Sequence, residues 1–162
     1  MQAPSASLSG MHYAQRLLGH VRRADQASQA AKEFVLRDFE MTPAQQSALA
    51  ILSDHDGMTA AQLARECAVT PQTMNSTLGR LEKRGLIERR RHPMHGTLIE
   101  IRMTPAGRDA FDRADKRVAE LDAALSAGLT EEDLALLRDL LKRIGENAAA
   151  HIARADAASR RR

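Results

Sequence analysis

Four groups of residues in this sequence have types and spacing that could do chemistry. His92 and His95 stand as His-x-x-His in a Pro/Gly-containing turn, with Glu88 and Glu100 close by. Metal sites draw three or four converging ligands, so two histidines in a loop read as a solvated polar turn and no metal is expected. Asp54-His55-Asp56-Gly57 gathers groups able to move protons, but it has the composition of a turn between two helices. Cys67 is the single cysteine, which excludes an internal disulfide and suits a reducing compartment. It reads as a small buried apolar side chain; a redox role would need an exposed, electropositive setting. The fourth group is polar and basic: Gln72, Thr73, Asn75, Ser76 and Arg80, followed by Arg89-Arg90-Arg91. Its chemistry is recognition, with hydrogen bonds to base edges and positive charge against phosphate. No Gly-rich phosphate loop, Gly-x-Ser-x-Gly or His-Glu-x-x-His run occurs, so neither an enzyme nor a cofactor is expected.

These groups must be carried by a scaffold, and the composition says which kind. Aromatic residues make up 2% of the 162 residues (Tyr13, Phe34, Phe39 and Phe111, with no Trp), so Leu, Ile, Val, Met and Ala must build the core. Packed helices do that best. No apolar run approaches the ~18 residues of a membrane span, and the first ten residues lack the basic-then-apolar order of a secretory signal. A cytoplasmic protein is expected. The net charge of +3 is unevenly placed: residues 58–104 carry eight basic and four acidic side chains, residues 105–150 seven and ten. The basic middle is the footprint of a polyanion binder, against the alternative of an ordinary solvated face.

Helix starts are marked by Thr42-Pro43, Thr59, Thr70-Pro71, Thr104-Pro105 and Thr130. A Thr hydroxyl accepts from an early helical N–H, and proline is tolerated at the first helical position. Thr42 with Gln45 and Thr59 with Gln62 form capping-box pairs. An earlier helix is predicted over about 8–38, with Tyr13, Leu17, Val21, Ala24, Ala27, Ala31 and Phe34 along one stripe. Late helices are predicted over about 105–127 and 131–152. Phe111, Ala114, Val118, Leu121 and Leu125 mark the first; Leu134, Leu137, Leu141, Ile144 and Ile152 mark the second. Such stripes are core faces or seams between helices.

The span 59–104 orders these elements. A helix over 59–67 breaks at Ala68-Val69 and is followed by a helix over 71–84. Met74, Leu78 and Leu81 should face inward there, leaving Gln72, Thr73, Ser76 and Arg80 on the other side and Asn75 at its flank. Two helices joined by a tight turn, the second suited to a major groove, make a helix-turn-helix unit. Gly85 should close the second helix in a left-handed conformation. Short strands at 86–90 and 98–103, joined by a turn at 92–97, then add a basic hairpin wing.

The runs LARECAVTPQTMNSTLGRLEKRGLIERR and RMTPAGRDAF resemble the MarR family (multiple antibiotic resistance regulators), over about residues 11–150. Leu81-Glu82-Lys83-Arg84-Gly85-Leu86-Ile87 resembles its helix-to-wing junction and Met103-Thr104-Pro105-Ala106-Gly107 its wing-to-helix junction. The resemblance implies a mainly α fold with a small β-hairpin wing, a winged helix-turn-helix flanked by long N- and C-terminal dimerisation helices. It implies a homodimer contacting through Tyr13, Leu17, Val21, Leu121, Leu125, Leu137, Leu141, Ile144 and Ile152. Double-stranded DNA would be met at Thr59, Thr70, Pro71, Gln72, Thr73, Asn75, Ser76, Arg80, Arg89, Arg90, Arg91, His92 and His95. A small aromatic or phenolic ligand between the dimer helices and the reading lobe would release a near-palindromic operator. Many members carry an Asp and, two residues later, an Arg at the wing tip; His95 and Thr97 stand there, and Ser76 replaces a common basic residue. Fewer such charges predict weaker sequence-independent affinity.

The expected organisation is a flexible tail over 1–10, a dimerisation helix within 11–40, the DNA-binding domain over 41–104, dimerisation helices over 105–152 and a basic tail over 153–162. A ligand-responsive repressor is the expectation. The alternatives are a metal- or redox-sensing regulator and a winged-helix adaptor that binds protein.

Overall fold

In the computed structural model, residues 10–91 and 98–160 are described. The element order is α1 (Leu17–Leu36), α2 (Pro43–Ser53), α3 (Ala60–Glu66), α4 (Pro71–Lys83), β1 (Ile87–Arg91), β2 (Ile99–Met103), α5 (Pro105–Leu125) and α6 (Glu131–Ser159). Every helix start marked by a threonine is a helix start. Thr42, Thr59 and Thr130 each accept from the third helical N–H in a full capping box. Thr70 accepts from Thr73 N at 3.1 Å and Thr104 from Gly107 N at 3.0 Å.

β1 and β2 pair antiparallel, with Ile87 opposite Met103, Arg89 opposite Ile101 and Arg91 opposite Ile99. The strands are shifted about one residue from expectation because Leu86 still belongs to the helix end: its N–H donates to Leu81 O at 3.0 Å. Gly85 takes the left-handed conformation (φ 68°) that makes this return possible. A further bridge has no local sequence signal. Met58, just before α3, exchanges two backbone hydrogen bonds with Ile101, at 3.1 and 2.7 Å, and so pins the wing to the helix-turn-helix.

The chain divides into two compact units, one up to Leu121 and one from Asp122 on. The core of the first is aliphatic: Leu36 from α1, Leu49 and Leu52 from α2, Leu63 from α3, Met74, Leu78 and Leu81 from α4, and Ile101 from β2 are all fully buried. The α5 stripe is split. Phe111 and Ala114 join this core, whereas Leu125 is 53% exposed. In the second unit α6 buries no residue, and Leu136, Leu137, Leu140, Leu141 and Ile152 stand exposed.

Two expectations at the ends need correction. The first helix does not start near residue 8. Arg16 is extended (φ −77°, ψ 153°) and offers no side-chain cap, and Tyr13–Gln15 forms a single 3-10 turn. That turn lies across the buried Gly19, where a Cβ would overlap Tyr13 O, and Arg23 Nη2 holds Ala14 O at 2.8 Å. Tyr13 is therefore not on the helical stripe with Leu17 and Val21. At the other end, residues 153–159 continue α6 instead of starting a tail. The Ala-rich run through Ala158 has high helix propensity and contains no Gly or Pro to stop it.

Candidate nucleic-acid interface

The turn between α3 and α4 is built by backbone geometry. Cys67 caps α3, Ala68 takes a left-handed conformation (φ 52°), and Val69 N donates to Ala64 O at 3.0 Å. Thr70 then starts α4, its hydroxyl also bonded to the Thr73 hydroxyl at 2.8 Å. The resulting helix has a dry underside and a polar top. Met74, Leu78 and Leu81 are 0–2% exposed, while Pro71, Gln72, Thr73, Asn75, Ser76 and Arg80 are exposed. Thr77 belongs to the underside: it is buried and donates to Thr73 O at 3.1 Å. The amphipathic packing alone therefore presents a row of donors and acceptors of the size that fits a major groove.

Residues grouped by sequence separate once their partners are known. The Thr59 hydroxyl and N–H both donate to Gln62 Oε1, each at 2.8 Å, so this threonine is committed to its cap. Arg89 is paired with Glu82 of α4 at 3.0 Å and Arg90 with its neighbour Glu88 at 2.7 Å. Among the described residues Arg80, Lys83 and Arg91 form no ion pair. His92 and His95, with the turn expected over 92–97, lie outside the described residues. Among the described residues no three His, Cys, Asp or Glu side chains come together as a metal site would need.

Beneath α4 lies a cavity of about 180 Å³ lined by Gln29, Pro43, Ala44, Ser47, Cys67, Val69, Thr73, Met74 and Thr77. Lys32 of α1 donates to Ser47 Oγ at 3.0 Å at its margin. Burial pulls the Lys32 ammonium below its ordinary pKa, and the charges of Asp115 and Cys67 partly restore it. Burial, and then Glu66, push the Cys67 thiol above its usual value, with Lys32 opposing. The thiol is thus protonated at neutral pH, unlike the depressed-pKa thiolates of redox sensors. Lys32 carried no sequence signal, because it falls off the apolar stripe of α1. Nor did Gln46, which is buried and donates to Asp115 Oδ1 at 2.9 Å.

A capped helix, a left-handed turn, a second helix with a polar outer face and a strand pair pinned beside it define a winged helix-turn-helix protein. Residues 39–96 match the model of the MarR family. The HTH-type transcriptional repressor Rv2887 of Mycobacterium tuberculosis is 33% identical over 99 residues, 61% of this chain and 71% of that protein. The structure of the Mycobacterium tuberculosis MarR family protein Rv2887 in complex with p-aminosalicylic acid superimposes with a TM-score of 0.63 and 28% identity, over 80% of this chain and 98% of that one. The transcriptional repressor CouR bound to a 23-mer DNA duplex gives a TM-score of 0.74 and 25% identity, over 90% of this chain and 99% of its own. The chain belongs to the MarR family. It is a DNA-binding transcriptional regulator, and no helix among its described residues is long and apolar enough to cross a membrane.

Proposed function

We propose that the protein is a cytoplasmic, ligand-responsive repressor that grips a near-palindromic operator as a homodimer. The observation that carries this reading is the outer face of α4, where Gln72, Thr73, Asn75, Ser76 and Arg80 stand exposed over the buried Met74, Leu78 and Leu81. In this reading α4 enters the major groove. Gln72 and Asn75 offer paired donors and acceptors to base edges, Arg80 takes a guanine edge or a phosphate, and the N-terminus of α4 at Thr70-Pro71 meets the backbone. The wing follows the neighbouring backbone through Arg91. A second copy would cover the exposed apolar residues of α1 (Leu17), the α5 end (Leu125) and α6 (Leu137, Leu141, Ile152).

The name of Rv2887 as a repressor and its structure with p-aminosalicylic acid support a repressor that takes a small aromatic acid or phenol. The cavity beneath α4 supports the same reading for this chain. At about 180 Å³ it matches one aromatic ring, and a partly buried ammonium stands at its margin. A ring wedged against Met74 would move the reading helix and weaken DNA binding.

Fluorescence anisotropy with duplexes tiled across the DNA upstream of the protein's own gene tests the reading. One tile is expected to bind about 10³-fold or more tighter than its shuffled control. Arg80→Ala should abolish most of that preference, and p-aminosalicylate should weaken binding of that tile. Equal, salt-sensitive binding of every duplex, shuffled included, sinks the reading in favour of a winged-helix adaptor.

A further inference from the structure

We infer that Arg84 is a positioning residue for DNA reading: its guanidinium fastens the end of the reading helix α4 to the end of α1 and so sets the angle at which α4 is presented. The inference rests on the proposed reading role of α4. The place of Arg84 in the sequence, beside Lys83 and one helical turn from Arg80, suggests a phosphate contact. The structure directs it elsewhere. Arg84 Nη1 donates to Glu40 O at 2.6 Å and Nη2 to Phe39 O at 3.3 Å, across more than forty residues of chain.

Those two carbonyls need such a partner. They lie at the end of the 3-10 turn Arg37–Phe39 that finishes α1, where carbonyls lack intrahelical donors and carry the negative end of the helix dipole. Glu40 itself is left-handed (φ 50°, ψ 34°), a conformation disfavoured for a side chain of this kind. It is this turn that delivers Met41, 4% exposed, into the core. The guanidinium holds the turn from outside.

The other end of the tie is equally fixed. Arg84 caps α4 (φ −88°, ψ 0°), and Thr104 at the start of α5 donates to the carbonyl of Gly85 at 2.7 Å. The backbone at 84–85 is therefore held by α5 while the side chain is held by α1. The aliphatic underside of α4 is non-directional and allows rotation and sliding. A planar two-donor fork is directional, and lysine does not reproduce it. The angle of α4 matters to base contacts and hardly at all to diffuse attraction by phosphates.

The test is anisotropy on wild type, Arg84→Lys and Arg84→Gln over a salt series. The probes are a duplex enriched from a random pool by the wild-type protein, and a shuffled duplex. Melting and active-fraction titration accompany each variant, so that loss of folded protein is counted separately. Both variants are expected to bind the enriched duplex roughly five- to tenfold more weakly, with affinity for the shuffled duplex and the slope of log affinity against log salt unchanged. A phosphate contact behaves differently: Lys would retain it, and Gln would weaken both duplexes alike and flatten the slope. That pattern, or Arg84→Lys indistinguishable from wild type on the enriched duplex, overturns the inference alone. A wild type with no preference for any enriched duplex overturns the reading role of α4 and the inference with it.

Discussion

Gly107→Ala gives the sharpest check on how the wing is seated. Gly107 lies in the first turn of α5, and a Cβ added there would overlap the carbonyl oxygen of Leu86 and sit 2.9 Å from its carbonyl carbon and 3.0 Å from Met103 Cγ. The methionine can swing aside, but the carbonyl cannot. Leu86 O accepts from Thr104 N at 3.1 Å, and Leu86 N closes α4 onto Leu81 O at 3.0 Å. Relief of the clash therefore means lifting α5 from the wing base or breaking one of these bonds, each in a buried setting. Overpacking of this kind costs about 1–3 kcal/mol, and loss of a buried backbone bond adds about 1–3 kcal/mol, so about 3 kcal/mol is expected. Gly79→Ala is the matched control. It lies within α4 with nothing inside 4 Å of an added Cβ, and there alanine should gain about 0.5–1 kcal/mol from helix propensity. Both are read by thermal melting followed by circular dichroism, at one fixed chain concentration because the stability of the proposed dimer would depend on it. For a chain of this size about 2–4 °C accompanies each kcal/mol, so Gly107→Ala should melt about 6–12 °C lower and Gly79→Ala about 1–4 °C higher. A Gly107→Ala protein that melts with wild type would refute the seating of α5 on the wing base.

Other expectations follow from single contacts. Thr70→Ala removes the N-cap of α4 and should cost about 1 kcal/mol in urea unfolding; no loss would mean that the Thr73 hydroxyl takes over the cap. The Cys67 thiol, raised above its ordinary 9.0, should react with a disulfide reagent at pH 8 more slowly than glutathione does. By the same shift, the folded state holds its proton after the unfolded chain has lost one. Stability then falls as pH rises from 9.0 through the raised value, and Cys67→Ala should remove that part of the alkaline loss. A faster reaction than glutathione's, or a steeper alkaline loss in the variant, contradicts the burial argument. Leu137→Asp combined with Leu141→Asp places two charges on an α6 face already exposed in the single chain. If the chain is the proposed dimer, light scattering should show a halved mass with far-ultraviolet helicity largely kept, and an unchanged mass would remove α6 from the proposed contact.

The helix-turn-helix was legible because its signals are local. A threonine cap, a proline at the first helical position and a glycine after the last turn each act within four residues, and all five threonine starts were found where the sequence marks them. The dry underside of α4 follows from the three- and four-residue steps of Met74, Leu78 and Leu81 in the same way. What the sequence hid was long-range. The Met58–Ile101 bridge joins a residue before α3 to the middle of β2, and nothing in either stretch signals it. The polar ties of Arg84 to Phe39 and Glu40, Lys32 to Ser47 and Gln46 to Asp115 depend on which helices meet. The start of α1 is hidden because an apolar period continues through Tyr13 while no capping residue precedes Leu17. The end of α6 lies beyond the expected residue 152 because the alanines from Ala153 to Ala158 sustain the helix although the apolar stripe stops at Ile152.

The arginines show how far charge counting carries. Six basic residues lie between Arg80 and Arg91, and taken at face value each would displace a counterion from DNA. Three are engaged elsewhere: Arg84 on the α1 carbonyls, Arg89 on Glu82 and Arg90 on Glu88. If only Arg80, Lys83 and Arg91 reach phosphate, the proposed dimer makes six such contacts from this span instead of twelve. The slope of log affinity against log salt then lies near −5 and not near −11, at about −0.9 per contact. Surface pairs are worth only about 0–1 kcal/mol, so the distribution can be tested by breaking one. Glu82→Gln keeps the shape of α4 and the backbone bond from Gly85 N while removing the negative charge that pairs with Arg89. The released guanidinium should tighten binding to a shuffled duplex and steepen the salt slope by about 2, one added contact per protomer. An unchanged slope, with the fold intact, would mean that Arg89 either already leaves Glu82 for phosphate or never reaches it. Either way, the Glu82–Arg89 pair would lose its role in setting how many of the wing's charges the DNA meets.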